Sequence, residues 1–286
     1  MDKKILAIAA VAVIVVAAVA CVLVLNNGKH SETTSDYTLL DSEDKITAGY
    51  CYSVTMKKGE STSTYTVTVK SVKEGEATCV EETKESLKND TDIPLSSFSK
   101  ALFKTYFHFD YTDENTFPSG ITVTKDAATS TYTINGTCVD NSTDTYTFEK
   151  PSITLDSSDA ATSVSGTVKD VYKDDDTNNS GTYVFTTTDG KLYADVTSDE
   201  IVNTEESVTE IHNEAMKFDE SEFAGTITNK TTEKFGNVTA TVYTITGTAG
   251  GDVYKDFKYY VYNGYVINAV GVVNGLDSSM TVSVHL

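Results

Sequence analysis

Three residue types are missing from this chain of 286 residues, which has no tryptophan, no arginine and no glutamine. Without arginine, the protein lacks the planar guanidinium group that binds carboxylate or phosphate groups through two parallel hydrogen bonds. A formal net charge of −20 repels phosphate backbones, so nucleic-acid binding is excluded. The sequence also contains no G-x-S-x-G elbow and no glycine-rich phosphate loop. We therefore expect no cofactor and no enzymatic activity.

Cysteine and histidine are scarce, with four residues of each type and no spacing that fits a zinc site. Three cysteines follow the N-terminal region, which allows one disulfide and leaves one thiol. Cys51 and Cys79 are predicted on the outer strands of a three-stranded meander, roughly 9–10 Å apart, beyond the ~7 Å that a disulfide can span. We therefore expect any disulfide to join Cys138 to Cys51 or Cys79.

The longest apolar run is Ile5–Leu25, which has 21 residues and contains no charge, proline or glycine. A helix of this length is about 31 Å long, enough to cross the ~30 Å hydrocarbon core of a bilayer. Lys3 and Lys4 precede the run and favour a cytoplasmic N-terminus with an extracellular C-terminal domain. A cleaved signal peptide is the alternative, although its apolar core is usually about 7–15 residues long. We predict a single-pass signal anchor in the cell membrane over residues 1–25.

The remaining chain has the pattern of a polar stem followed by an antiparallel β ectodomain. Residues 26–45 are polar and without periodicity, which predicts a flexible stem. From residue 46 onward, apolar residues alternate with threonine in short runs that are separated by glycine-containing turns. Asp189-Gly190, Asn263-Gly264 and Asn274-Gly275 each predict a tight hairpin.

Two amphipathic helices are predicted within the β-rich region, at Pro94–His108 and at Thr204–Phe218. They place the protein in the α+β class. The first helix lies in the most aromatic stretch of the chain, and packing in the core is its simplest interpretation. The alternative is that it forms the wall of a cleft for a lipid or other apolar ligand. The residues of this candidate ligand site are Phe98, Phe103, Phe107 and His108.

An internal repeat is suggested by two similar segments, YTINGT at Tyr132–Thr137 and YTITGT at Tyr243–Thr248. In both halves of the chain, predicted strands and then one amphipathic helix precede the matching segment. We therefore predict two tandem β-meander/helix repeats, at residues 46–168 and 169–286.

Two further motifs concern metal binding and glycosylation. Asp174, Asp176 and Asn178 have the alternating spacing with which a calcium-binding loop begins, but the expected glycine and glutamate do not follow at positions six and twelve. A solvated acidic turn is therefore the favoured interpretation of these residues, and a metal site is the alternative. Six N-x-S/T sequons are compatible with an exported glycoprotein, namely Asn89, Asn135, Asn141, Asn178, Asn229 and Asn237.

The opening MDKKILAIAAVAVIVVAAVACVLVLNN, the polar stem and the acidic, Thr/Tyr-rich β region resemble N-terminally anchored, uncharacterised surface proteins of methanogenic archaea. This resemblance names no domain family and implies no functional residue. The pattern of sheet plus helix also resembles the curved sheet of bacterial lipoprotein carriers, in fold alone.

These observations lead to one main functional hypothesis and two alternatives. The main hypothesis is a membrane-anchored extracellular protein with a structural or adhesive role. The first alternative is a carrier-like module that holds a lipid or other apolar ligand between sheet and helix, and the second is an envelope hydrolase. The expected partners are the membrane and a cell-surface protein, glycan or lipid.

Overall fold

The computed structural model describes residues 35–89, 93–95, 109–140 and 143–286. Most of these residues form β-strands. The strands are β1 (Cys51–Lys58), β2 (Ser61–Lys73), β3 (Glu76–Leu87), β4 (Ile93–Pro94), β5 (Ile121–Asp126), β6 (Thr131–Asp140), β7 (Asp144–Leu155), β8 (Ala161–Lys173), β9 (Thr177–Thr188), β10 (Lys191–Ser207), β11 (Ile227–Phe235), β12 (Val238–Ala249), β13 (Asp252–Tyr262), β14 (Tyr265–Val273) and β15 (Leu276–His285).

The described residues contain one α-helix, α1 (Val208–Glu214). It begins at a capping box, because the Ser207 side chain accepts a hydrogen bond from the Glu210 backbone and the Glu210 carboxylate accepts one from the Ser207 backbone. The predicted start at Thr204 is therefore wrong, since Thr204 still belongs to β10. Within the same described ranges there are four short 3-10 helices, at Tyr37–Leu40, Glu43–Lys45, Glu114–Thr116 and Glu220–Phe223.

The sheet connectivity overturns the predicted α+β class. The hydrogen-bonded strand order is β11-β12-β13-β14-β15-β1-β2-β3-β10-β9-β8-β7-β6-β5, with β4 paired to β10. The protein is almost entirely antiparallel sheet, and α1 has only seven residues. Threonine, valine and tyrosine, which favour strands, dominate the sequence of these elements. The other predicted helix, Pro94–His108, lies mostly outside the described residues, and Pro94 itself is part of β4.

The membrane anchor predicted from the sequence is not supported by the structure. Among the described residues, no helix is long and apolar enough to cross a membrane. The predicted span itself, residues 1–25, lies outside the described residues. The predicted location in the cell membrane, with an extracellular C-terminal domain, is therefore not supported.

The chain divides into two compact units. Of the described residues, those at 35–81 and 203–286 form the first unit, and those between 82 and 202 form the second. These limits differ from the predicted repeats at residues 46–168 and 169–286.

In the first unit, the alternation of side chains creates one apolar face on the sheet. Val54 on β1, Val67 on β2 and Val282 on β15 are buried, whereas the residues before and after each valine along its strand are polar. Residues 37–45, predicted as part of a flexible stem, instead contribute Tyr37, Leu39 and Leu40 to this core. Asn263-Gly264 and Asn274-Gly275 form the predicted tight turns, with positive φ at all four residues.

The second unit has its own core. Ile134, Ile153 and Val164 lie on neighbouring strands and are fully buried. The segment before β5 contributes Phe109, which packs edge-on against Phe148 with ring centroids 5.8 Å apart. The opposite side of the same strands therefore faces away from this core.

Candidate functional site

The second unit carries two rows of hydroxyl side chains on the side of its sheet opposite the core. The rows cross neighbouring strands, because their members are directly paired in the antiparallel register of β5, β6, β7 and β8. We call these residues the outer hydroxyl face: Thr124, Thr133, Ser152 and Ser165 in the first row, and Thr131, Thr154 and Ser163 in the second.

Hydrogen bonds within this face fix the side chains of neighbouring strands. The Thr131 and Thr154 Oγ1 atoms are 2.9 Å apart, and Thr133 Oγ1 is 3.0 Å from Ser152 Oγ. Each hydroxyl has one proton to donate and two lone pairs to accept with. Thr131 also accepts a hydrogen bond from the Thr129 hydroxyl at 2.8 Å, so its pair with Thr154 keeps one donor and two acceptor sites. Ser152 donates to the Lys150 carbonyl at 3.4 Å, so its pair with Thr133 keeps acceptor sites only.

Few charges lie along the outer hydroxyl face, although the protein as a whole is strongly acidic. The first row contains no ionisable residue, whereas the second row ends at the carboxylate of Asp126, which is paired with Thr131. On the flank, the Lys169 ammonium forms an ion pair with the Glu149 carboxylate, so these two charges offset each other. Such a surface suits a neutral, polar partner better than an ionic one.

The first unit contains a cluster of three carboxylates around one tyrosine. The Tyr65 hydroxyl is 3.1 Å from Glu81 Oε2 and 3.2 Å from Glu214 Oε2. Glu206, near the end of β10, carries an Oε2 atom that is buried without a hydrogen-bond partner, as is Glu81 Oε1. Four elements supply the cluster: β2, β3, β10 and α1.

Burial and mutual repulsion raise the pKa values of two of these carboxylates, Glu206 and Glu214. Desolvation, followed by the charges of Glu214 and Glu81, raises the pKa of Glu206 to about 7. Desolvation also raises the pKa of Glu214, with the Glu81 charge adding to it. Beneath them, burial raises the pKa of the Cys79 thiol to about 11. The cluster can therefore hold a proton at neutral pH, although no group of three or more acidic, histidine or cysteine residues in the described chain could hold a metal ion.

The structure places the other candidate residues as follows. The aromatic ligand site, Phe98, Phe103, Phe107 and His108, lies outside the described residues, so it stays a prediction.

The candidate calcium loop forms the turn between β8 and β9. There, Asp174 Oδ1 accepts hydrogen bonds from the backbone N–H of Asp176 at 3.0 Å and of Thr177 at 2.7 Å. Asn178 already belongs to β9 and pairs with Lys173 and Ile201.

The cysteines and sequons are also located. Cys51 and Cys79 are free thiols in the described structure, so neither is joined to Cys138, which is buried in the second unit.

The side chain of the sequon residue Asn237 makes two hydrogen bonds. It donates to Asp36 Oδ1 at 2.6 Å and accepts from the Tyr37 backbone N–H at 3.2 Å. The asparagines of four other sequons are exposed, namely Asn89, Asn135, Asn178 and Asn229. Asn141 lies outside the described residues.

Comparisons with protein-family models, with curated proteins and with solved structures found no match for this chain. The resemblance to archaeal surface proteins therefore stays a prediction.

Proposed function

We propose that this chain is a non-catalytic adhesive protein that binds a neutral, hydroxyl-rich polymer through the outer hydroxyl face of its second unit. The observation that carries this proposal is the pair of hydroxyl rows on β5–β8, in which Asp126 is the one carboxylate, in a protein with a net charge of −20. A polysaccharide without ionised groups presents both donors and acceptors, as these rows do.

The expected affinity is low at each contact. A neutral hydrogen bond contributes a net of about 0.5–1.5 kcal/mol, so a four-residue row supports a dissociation constant on the order of millimolar. Retention on an insoluble polymer, which offers many contacts at once, is therefore a more sensitive measurement than titration with a short sugar.

The test is retention of the full chain on insoluble cellulose, xylan and mannan. The triple variant Thr131→Val/Thr133→Val/Thr154→Val removes three hydroxyls and keeps the branched shape that favours strands. Its retention is expected to fall at least about 10-fold, as the loss of roughly 1.4 kcal/mol or more predicts. Thr231→Val/Thr232→Val on the exposed strand β11 is the matched control and should bind normally. Absence of retention of the unaltered chain on all three polymers contradicts the proposal.

A carboxylate-catalysed hydrolase is the second candidate function, favoured by one observation. The pKa of Glu206, about 7, lies where a general acid works best at neutral pH. Release of reducing ends from the same polymers by the unaltered chain, lost in Glu206→Gln without a change in melting temperature, would place this candidate first. Retention of the chain on a polymer without release of reducing ends favours the binding protein over the hydrolase.

A further inference from the structure

The carboxylate cluster of the first unit lies on the core side of its sheet. Glu81 is two residues after the fully buried Cys79 on β3. Residues two apart on a strand lie on the same side of the sheet, so Glu81 also points toward the core. The helix α1 packs on this side through Ile211, and it brings Glu214 Oε2 within 3.2 Å of the Tyr65 hydroxyl. The cluster therefore lies between the sheet and α1.

Two buried oxygens of this cluster have no hydrogen-bond partner, namely Glu81 Oε1 and Glu206 Oε2. The single phenolic proton of Tyr65 is directed at the other oxygen of Glu81 and at Glu214, so it serves neither of these atoms. In the part of the chain that the structure describes, no lysine forms an ion pair with the three carboxylates. A buried carboxylate oxygen without a partner costs free energy, and a proton placed between two such oxygens removes that cost.

Glu81 and Glu206 are close enough to share a proton. After burial and the charges of Glu214 and Glu81, a side-chain hydrogen bond with Glu81 also raises the pKa of Glu206. Two ionised carboxylates have acceptors only, so this bond exists only while one of the two groups carries a proton. Loss of the proton therefore replaces a hydrogen bond with a contact between two negative charges.

The helix α1 is the short element that this change affects. It has seven residues, too few for a stable isolated helix, and Ile211 is the one residue within it that is buried. Glu206 immediately precedes its N-cap, Ser207, and Glu214 is its last residue. Carboxylates of the cluster therefore lie at both ends of α1, and their joint ionisation weakens the contact between the helix and the sheet.

The other titratable side chains that face the cluster come from β1, β2, β3 and α1: Tyr52, Tyr65, Cys79 and Glu210. Burial raises the pKa of the two tyrosines and of the thiol, so these three groups keep their protons at pH 8. Hydrogen bonds at the N-cap lower the pKa of Glu210, which is therefore ionised throughout the range from pH 5 to pH 8. Elsewhere on α1, His212 Nδ1 lies 3.3 Å from the Tyr265 hydroxyl, and Glu43 accepts a hydrogen bond from the helix at 2.7 Å.

We propose that Glu81 and Glu206 share one proton, held between Glu206 Oε2 and Glu81 Oε1, and that its loss to water promotes release of α1 from the sheet. The first unit then contains a pH-sensitive switch. The docked helix is favoured at weakly acidic pH, and the population of the released minor state grows as the pH rises past neutral. The sheet stays formed in both states, so release is a local opening. Because the cluster lies in the first unit, this inference does not rest on glycan binding by the second.

Hydrogen exchange of the full chain, measured by mass spectrometry and corrected for the intrinsic effect of pH on exchange, tests the switch. The protection factor of residues 208–216 is expected to fall at least about 10-fold between pH 5 and pH 8, because the pKa of Glu206 is about 7 in the docked state. Exchange of α1 should be insensitive to low concentrations of urea, because a local opening exposes little surface. A urea dependence of α1 equal to that of β14 would show global unfolding and overturn the proposal.

Two variants imitate the shared proton from opposite sides. Glu206→Gln and Glu81→Gln each place an amide donor between the two side chains, so either should keep at pH 8 the protection that α1 has at pH 5. Glu205→Gln removes a charge from the exposed neighbour and should retain the fall in protection. His212→Asn should retain it as well. A fall that His212→Asn removes, or that both glutamine variants of the pair retain, contradicts the proposal.

Carbon-13 NMR of the glutamate carboxyl groups tests the shared proton itself. The Glu206 signal is expected to titrate near neutral pH, and the Glu81 signal should move in the same pH range because it senses the same hydrogen bond. In Glu206→Gln, the Glu81 signal should no longer move between pH 6 and pH 8. A Glu81 signal that is unaffected while Glu206 titrates would show that the two groups do not share a proton.

Discussion

The hydroxyl of Tyr65 donates a hydrogen bond to Oε2 of Glu81 at 3.1 Å, and Glu214 Oε2 lies nearly as close, at 3.2 Å. A phenol has one proton, so it cannot serve both carboxylates fully. Tyr65→Phe removes the only proton it offers and should lower the free energy of unfolding by about 1–3 kcal/mol. Urea unfolding at neutral pH measures this loss. Tyr193→Phe, at a half-buried tyrosine of the second unit, is the control, and an equal loss in the two variants would contradict this account.

Glu206 predicts an unusual pH dependence of stability. Its folded pKa of about 7 lies above the ordinary value of 4.5, so the folded protein binds the proton more tightly than the unfolded chain. The stabilisation is therefore complete below about pH 4.5 and is lost as the pH rises through 7, by about 1–2 kcal/mol between pH 5 and pH 8 after solvent screening of this partly exposed group is taken into account. Carboxylates with lowered pKa values, such as Asp36 and Asp156, change the free energy of unfolding only below about pH 4. They therefore do not contribute to its change between pH 5 and pH 8.

Glu206→Gln mimics the protonated form and should flatten the stability profile between pH 5 and pH 8. Urea unfolding across this range measures the effect. Glu205→Gln changes the exposed neighbour on the same strand and should retain the slope of the unaltered chain. An unchanged slope in Glu206→Gln would mean that another group controls this pH range.

The sequence predicted features that depend on adjacent residues and missed those that depend on distant ones. The Asn263-Gly264 turn followed from two neighbours that both tolerate positive φ, and it is present. The helix at Thr204–Phe218 was placed by apolar spacing, but long-range pairing keeps Thr204 in β10. The carboxylate cluster joins residues as far apart as Tyr65 and Glu214, 149 positions along the chain, which no local pattern indicates.

The hydroxyl rows depend partly on adjacent residues and partly on distant ones, so the sequence predicts them only in part. Alternation places Thr131 and Thr133 on one face of a strand and Ile134 on the other, so the sequence indicates a polar face. Which residues stand opposite them depends on the register, and the β6–β7 register shifts between Thr133 and Asn135. A one-residue slip would move every side chain to the other face, so the rows require the structure.

Close backbone contact between β5 and β6 makes Gly136 sensitive to substitution. A Cβ atom at Gly136 would lie 2.0 Å from the Gly120 carbonyl oxygen, and its φ of +125° is unfavourable for other residues. Gly136→Ala should cost at least about 3 kcal/mol or prevent folding of the second unit. At Gly190, where φ is +72° and nothing lies within 4 Å, alanine should cost only about 1 kcal/mol. Equal melting temperatures of the two variants would contradict the contact.

The turn between β8 and β9 gives a prediction about calcium. Because Asp174 Oδ1 already accepts two backbone hydrogen bonds, Asp174→Ala should lower the free energy of unfolding by about 1 kcal/mol. Calcium at millimolar concentration should leave the melting temperature of the unaltered chain unchanged, and Asp176→Ala should have little effect on stability. A calcium-dependent rise that Asp174→Ala and Asp176→Ala both remove would instead establish the metal site predicted from the sequence.

The cysteines should react with thiol reagents in a fixed order. Cys79 is fully buried and its thiol pKa is raised to about 11, so only about a thousandth of it is thiolate at pH 8. Of the cysteines that the structure describes, Cys51 is half-buried at the start of β1 and should be alkylated by iodoacetamide in the native protein before Cys79, which reacts only on unfolding. Peptide mass spectrometry at successive times measures the order of these two sites, and Cys51→Ser should remove the faster of the two reactions. Alkylation of Cys79 at the rate of Cys51 would show that the first unit opens at β3 in its native state, contrary to the packing described here.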